Sequence, residues 1–464
     1  MKSSWIIFFL PFLVFAQSGT SGGLTRNVIE DIQGSVRLSK SEYAIMNAVT
    51  NNKLSELSLN RSFFIKHNDL FSHRIKTKGI TDQKRSGRCW LFAGLNMLRP
   101  GVIEKYNLKN FEFSQSYLYF WDKLEKANRF LEFIITSYDR GLLDRELVIF
   151  LERPVFDGGY WSYVVNLIDK YGVVPKEAMP ETYNSNNSWV MNSIISRKLR
   201  EDAVLLRKMA QEGKDVQELR DKKIEMLKTI YKILVLNLGE PPSEFIWRYE
   251  DTKGNVSAPK RYTPEEFYKD VVGVDIRDYV ALFNYPGKVY NRLYQCDNVR
   301  NIFEYSDPVY INLDIEQLKE LTKKSVLDDE PVWFACDIIK DKDSEHGILS
   351  TRILDYRSLY GLEMELNKEA RILFRESAGN HAMVFTGVDL QDNRPVKWWV
   401  EDSHGKERGD NGHWVMYDDW FDEYVYAVII NKKYLPGELR NILKQEPIHL
   451  PPWDPMACLL RNIE

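Results

Sequence analysis

No run of basic residues long enough to track a nucleic-acid backbone occurs in this 464-residue chain, and the net charge is −4. Binding to DNA or RNA is therefore not expected. No P-loop or dinucleotide fingerprint is present, and nothing else calls for a cofactor. Cysteine is scarce: the four residues Cys89, Cys296, Cys336 and Cys458 have spacings that give no disulfide framework. What is present is the composition of a globular protein, 44% hydrophobic and 28% charged, with 12 Trp, 25 Tyr and 23 Phe to fill a large core. The length suits one large domain, or a core with a substantial insertion.

Lys2 precedes the apolar run Trp5 to Ala16, and Val14-Phe15-Ala16 stands before Gln17. Residues 1–16 read as a signal peptide. The run is too short to cross a bilayer comfortably, so no stable membrane insertion is expected after cleavage. The expectation is export, secreted or periplasmic; the protein is cytoplasmic if the segment is not used.

The chemistry concentrates in Gln83-Lys84-Arg85-Ser86-Gly87-Arg88-Cys89-Trp90. Gly87 lets the backbone turn into the apolar run Trp90 to Leu98, which Pro100-Gly101 is expected to stop. Cys89 then sits in the first turn of a helix, where free N–H groups and the helix dipole favour an anion and should ease ionisation of the thiol. Gln83, six residues earlier, can aim its amide at an oxygen beside the sulfur. The pair reads as a nucleophile and half of an oxyanion hole. A buried structural cysteine is the competing reading on local grounds.

This segment resembles the papain-like cysteine peptidases, in particular the bleomycin hydrolase/aminopeptidase C branch, with Ser86 where secreted papain relatives carry a second cysteine. The run Phe111 to Lys123, with Ser114 as a helix cap, resembles a signature of the same branch. So does Asn380-His381-Ala382-Met383, the start of a buried strand running to Val388, in which His381 is the imidazole partner of the thiol. Trp398 to Gly405 is similar to a family segment reading Val-Glu-Asn-Ser-Trp-Gly, but Asp402 stands at the asparagine position and His404 at the tryptophan. A carboxylate orients the imidazole and also stabilises its charged form; loss of the tryptophan is expected to wet the site. His404, Asp410 and His413 fit no established metal-ligand spacing, so no metal site is expected.

The resemblance implies an α+β papain-like core, with a helical left domain and a β-barrel-like right domain, a helical insertion and an extended C-terminal tail. The expected segments are the core's first part at 24–189, the insertion at 190–300, a β-rich part with His381 at 301–445, and the tail at 446–464. Within the insertion, Ile195, Leu199, Ala203, Leu206 and Ala210, then Ile224, Leu227, Tyr231, Leu234 and Leu238, fall at helical spacing across Gly213. In the family such insertions build a homohexamer. Asp157-Gly158-Gly159 resembles the glycine wall of papain-like clefts, which makes Gly158 and Gly159 candidate substrate-binding residues. The tail Glu446 to Met456 resembles one that runs into the cleft and offers its terminal carboxylate to a substrate's α-amino group. Here it continues to Glu464, so trimming near Leu459 or Leu460 would leave the carboxylate at the right depth, and these two are also candidate substrate contacts.

The function implied is a cysteine aminopeptidase acting on peptides. The catalytic residues would be Cys89, His381, Asp402 and Gln83. The alternative is a weakened or inactive peptide-binding homologue, because of Asp402 and His404.

Overall fold

A computed structural model describes residues 22–458. The chain forms two separately compact units that divide after Ser58. The first contains the helices Arg26–Ser35, Lys40–Asn51 and Leu54–Leu57, none of which buries a residue. Thr25 and Ser39 cap the first two, and Glu42 completes a capping box with Ser39. The second unit, from Leu59 onward, carries every candidate catalytic residue.

In that unit the helix Cys89–Lys105 buries eleven consecutive residues, Cys89 to Arg99, and is a core helix with no polar face over that stretch. Pro100-Gly101 does not stop it. Pro100 forgoes one backbone hydrogen bond, but burial of Val102 and Ile103 one turn later holds the helix to Lys105. The helix Gln115–Thr136 starts where expected, with Ser114 Oγ accepting from the Tyr117 amide at 3.1 Å. Trp161–Tyr171 follows the glycine pair.

The expected hairpin is Trp189–Gln211 and Val216–Leu238. It packs on the Gln115–Thr136 helix, where buried Glu132 receives Arg220 and Lys223. Ile195, Leu199, Ala203 and Leu206 face inward as the spacing predicts. In the second helix the buried line is Leu219, Met226, Ile230, Leu234 and Leu238, while Ile224 is 49% exposed. Several neighbouring apolar positions satisfy helical spacing, and the packing selects a line rotated from the predicted one.

The main sheet has Val332–Cys336 at its centre, paired antiparallel with Val425–Asn431 on one side and His381–Gln391 on the other. Arg394–Glu401 and His413–Tyr417 extend it beyond His381–Gln391. On the far side lie Tyr279–Phe283, Val309–Asn312, Arg292–Cys296 and, at the edge, the tail strand Ile448–Leu450. Two of these strands, Tyr279–Phe283 and Arg292–Cys296, fall inside the 190–300 segment expected to be helical; they join the sheet because they carry apolar residues to its buried face. Helix and sheet meet at the nucleophile, where the Trp333 indole donates to the Trp90 carbonyl at 3.0 Å. Among the described residues no helix is long and apolar enough to cross a membrane.

Candidate active site

Cys89 is the first residue of its helix and is 2% exposed. The turn before it is clamped from two sides. Arg88, fully buried, makes a two-pronged pair with Glu181 at 3.0 and 2.8 Å, and the Gly87 amide donates to Asp157 Oδ2 at 3.1 Å. The backbone of Ala382 makes a hydrogen bond to the Cys89 thiol. The strand beginning at His381 therefore lies directly against the sulfur.

His381 is held by register, opposite Cys336, and by its neighbour Asn380, whose side chain binds Asp337 and the Ile338 amide. Its Nε2 lies 2.8 Å from Asp402 Oδ1. That leaves Nδ1 as the ring nitrogen free for the thiol. Asp402 follows the strand Arg394–Glu401, and its amide donates to the Gly412 carbonyl at 2.9 Å. Its carboxylate also accepts from the Ser403 amide at 2.7 Å and from His404 Nδ1 at 3.1 Å. Burial alone would raise the Asp402 carboxyl, but the charge and hydrogen bond of His381, with those of His404, hold it well below the usual range.

Gln83 is buried and doubly anchored. Its Nε2 donates to the Ser86 carbonyl at 2.6 Å and its Oε1 accepts from Ser403 Oγ at 2.7 Å. Ser403 thus touches both Asp402 and Gln83. The family-like segment includes this serine, but its bridging role is not visible there, because it depends on two loops 320 positions apart.

The electrostatics differ from the expectation of an easily ionised thiol. Burial pushes Cys89 up to about 12, against the lowering effect of backbone hydrogen bonds from Ala382 and Trp90. Burial likewise lowers His381, against the raising effect of Asp402. The helix-start effect is present, but desolvation outweighs it, and the closed site favours the uncharged thiol and imidazole.

The expectation of a wet site also fails. The His404 ring lies 4.9 Å from that of His381 at an angle of 34°, and His381 remains only 4% exposed. His404 covers the imidazole from the position where the family's tryptophan would stand. His413 is elsewhere: it stacks on Trp399 at 5.0 Å, and burial pulls it down to about 4. His404, Asp410 and His413 are not brought together as ligands. Among the described residues, the group of donors that converges is His381, Asp402 and His404, all within 4.8 Å of one another.

Gly158 and Gly159 are buried beside the nucleophile helix. A Cβ on Gly159 would sit 2.5 Å from the Trp90 indole, so close packing alone accounts for that glycine. The Gly158 carbonyl accepts from Lys126 at 2.8 Å. Asp157, which the glycine motif contains without showing its role, is a buried hub for Gly87, Tyr119, Lys123, Ser188 and Asn192. The tail passes Lys288, which pairs with Asp454 at 2.8 Å, and its Ala457 carbonyl accepts from the Tyr160 hydroxyl. Met456, 1% exposed, lines a cavity of about 230 Å³ together with Tyr285, Ile372, Asn380 and Tyr426. The tail therefore ends its described course between the residue after the glycine pair and the residue before His381. Leu459, Leu460 and the 1–16 segment lie outside the described residues.

A family model described as the Peptidase C1-like family matches residues 23–457. Aminopeptidase C of Lactobacillus delbrueckii subsp. lactis is 38% identical over 438 residues, 93% of this chain and 98% of that one. Bleomycin hydrolase of Homo sapiens is 38% identical over 425 residues, 89% of this chain and 93% of that one. The crystal structure of PepW from Lactobacillus rhamnosis HN001 superposes with a TM-score of 0.91 at 38% identity, covering 94% of this chain and 99% of that chain.

Proposed function

The chain belongs to the Peptidase C1-like family, has its papain-like α+β fold and is a cysteine peptidase; from that premise we propose that it removes N-terminal residues from peptides by nucleophilic attack from Cys89. The observation that carries the reading is the convergence of a buried cysteine at a helix start, the amide of Ala382 on its sulfur, and an imidazole held by Asp402 at 2.8 Å.

In the proposed reaction His381 Nδ1 takes the thiol proton as Cys89 Sγ bonds to the scissile carbonyl carbon. The resulting oxyanion is met by the Cys89 amide and the second N–H of the Gln83 side chain. His381 then returns the proton to the leaving amine as the C–N bond breaks. Water, activated by the same imidazole, hydrolyses the thioester and regenerates the thiol. Asp402 keeps the ring aligned and supports its charged state, which the buried site otherwise disfavours. The aminopeptidase character is assigned to the tail: Met456 and Ala457 are buried between Tyr160 and Asn380, where a free carboxylate farther on would meet a substrate ammonium.

The same reading includes export through residues 1–16, to be checked by N-terminal sequencing for a start at Gln17. The competing reading is a weakened or inactive peptide-binding homologue. It draws on Asp402, whose carboxylate binds two imidazoles and could hold the imidazolium too tightly for an efficient acid. A thiol-directed peptidyl epoxide separates the two. The enzyme should take up one equivalent on Cys89, seen by intact mass, with parallel loss of turnover. Full turnover after labelling, or labelling without any turnover to lose, would reject it.

A further inference from the structure

Two imidazoles and a carboxylate close on one point beside the nucleophile. His381 Nε2 is 2.8 Å from Asp402 Oδ1, His404 Nδ1 is 3.1 Å from both oxygens of the same carboxylate, and the three donors lie within 4.8 Å of one another. Tetrahedral zinc, with bonds of about 2.0–2.2 Å to nitrogen and oxygen, needs donors about 3.3 Å apart. The separations from Asp402 are those of hydrogen bonds, while the set as a whole spans up to 4.8 Å, so an ion that replaced the shared protons would draw the two imidazoles toward each other. Nitrogen and carboxylate donors suit zinc among common divalent cations, and three protein ligands leave a fourth position for water. The side chain of His404 is 22% exposed, which gives the ion an approach that buried His381 and Asp402 lack.

We propose that His381, Asp402 and His404 form a three-ligand site for Zn²⁺ that, when filled, switches the peptidase off. The inference rests on the assignment of His381 as the catalytic imidazole for its consequence, though not for the binding itself. A neutral imidazole that gives its Nε2 lone pair to zinc carries its remaining hydrogen on Nδ1. Nδ1 then cannot accept the proton of Cys89, and attack is blocked. As the metal takes the Nε2 lone pair, the hydrogen that neutral His381 carried there is given up to solvent and Nδ1 takes one up, so the ring stays neutral with no net proton released. No short sequence motif announces the site, because His381 lies 21 positions before Asp402 and reaches it across two adjacent strands.

The decisive material is the Cys89→Ala protein, in which no thiol can bind zinc alongside His381. Calorimetric titration with Zn²⁺ should give one ion per chain, and Co²⁺ in its place should give the intense visible absorption of a tetrahedral site. In the same background His404→Ala and His404→Trp should each weaken binding by about tenfold or more. In the protein with Cys89 intact, Zn²⁺ should inhibit reversibly with EDTA, and His404→Trp should resist inhibition by a similar factor. Absence of binding to folded Cys89→Ala protein, or His404 variants that bind as tightly as the Cys89→Ala parent, would overturn the proposal. Were the protein with Cys89 to show no turnover at all, the peptidase assignment would fail while the Cys89→Ala titration still decided the metal site.

Discussion

Arg99 and Glu401 form an ion pair of 2.7 Å in which neither side chain is more than 2% exposed. Arg99 lies on the nucleophile helix, and Glu401 is the residue before Asp402. The pair ties the element that carries the thiol to the strand that delivers the carboxylate. Arg99→Ala should therefore leave a buried, unpaired acid and cost about 3–5 kcal/mol of stability, read from urea unfolding. The double change Arg99→Met with Glu401→Leu should recover most of that loss. Equal stability of the wild type and Arg99→Ala would show that the pair does not hold the two elements together.

Asp402→Asn keeps a hydrogen-bond acceptor for His381 and removes the charge. Asp402 acts to raise the His381 pKa against burial, so its neutralisation should lower that pKa further. The neutral imidazole that accepts the thiol proton is absent below this pKa and forms as pH rises through it. The acid limb of the kcat/KM profile should then move to lower pH. An unchanged limb would mean that the Asp402 charge does not act on the catalytic imidazole.

The starts of the nucleophile helix and of the His381 strand were legible in the sequence, because a glycine turn and an apolar run specify each locally. The fate of Pro100 was not: the burial of Val102 and Ile103 that carries the helix past it is a tertiary effect. Nor could spacing choose between Ile224 and Met226 for the inward line of the hairpin. The candidate catalytic residues were legible from motif resemblance. Their supports were not, since Asp157 gathers partners from positions 87 to 192 and Ser403 bridges Gln83 and Asp402. The ease of ionisation expected for Cys89 failed for a related reason. A helix start is visible in the sequence, whereas the desolvation that outweighs it depends on the whole packed site.

Assembly should run through the outer face of the hairpin. Trp189, Ile194, Val204 and Leu236 are each more than half exposed there, an apolar set uncommon on a free surface. Light scattering at micromolar concentration should give a homo-oligomer, a hexamer by family resemblance, and Trp189→Glu with Leu236→Glu should dissociate it. A monomeric wild type would contradict this.

The tail should set the depth of the cleft. Intact mass spectrometry should find the wild type shortened near Leu459 or Leu460 and the Cys89→Ala protein ending at Glu464. Deletion from Met456 onward should raise cleavage of N-terminally blocked peptides relative to free ones. An active aminopeptidase with its full tail would show that the last residues are accommodated without trimming.

The most direct measurement is the release of a fluorescent amine from an aminoacyl amide with a free α-amino group and from its acetylated twin, by the wild type and by Cys89→Ala. The wild type should turn over the free form and little of the acetylated form, and folded Cys89→Ala should turn over neither. Equal turnover of the free form by both proteins would contradict catalysis by Cys89, and equal cleavage of both forms by the wild type would contradict an aminopeptidase.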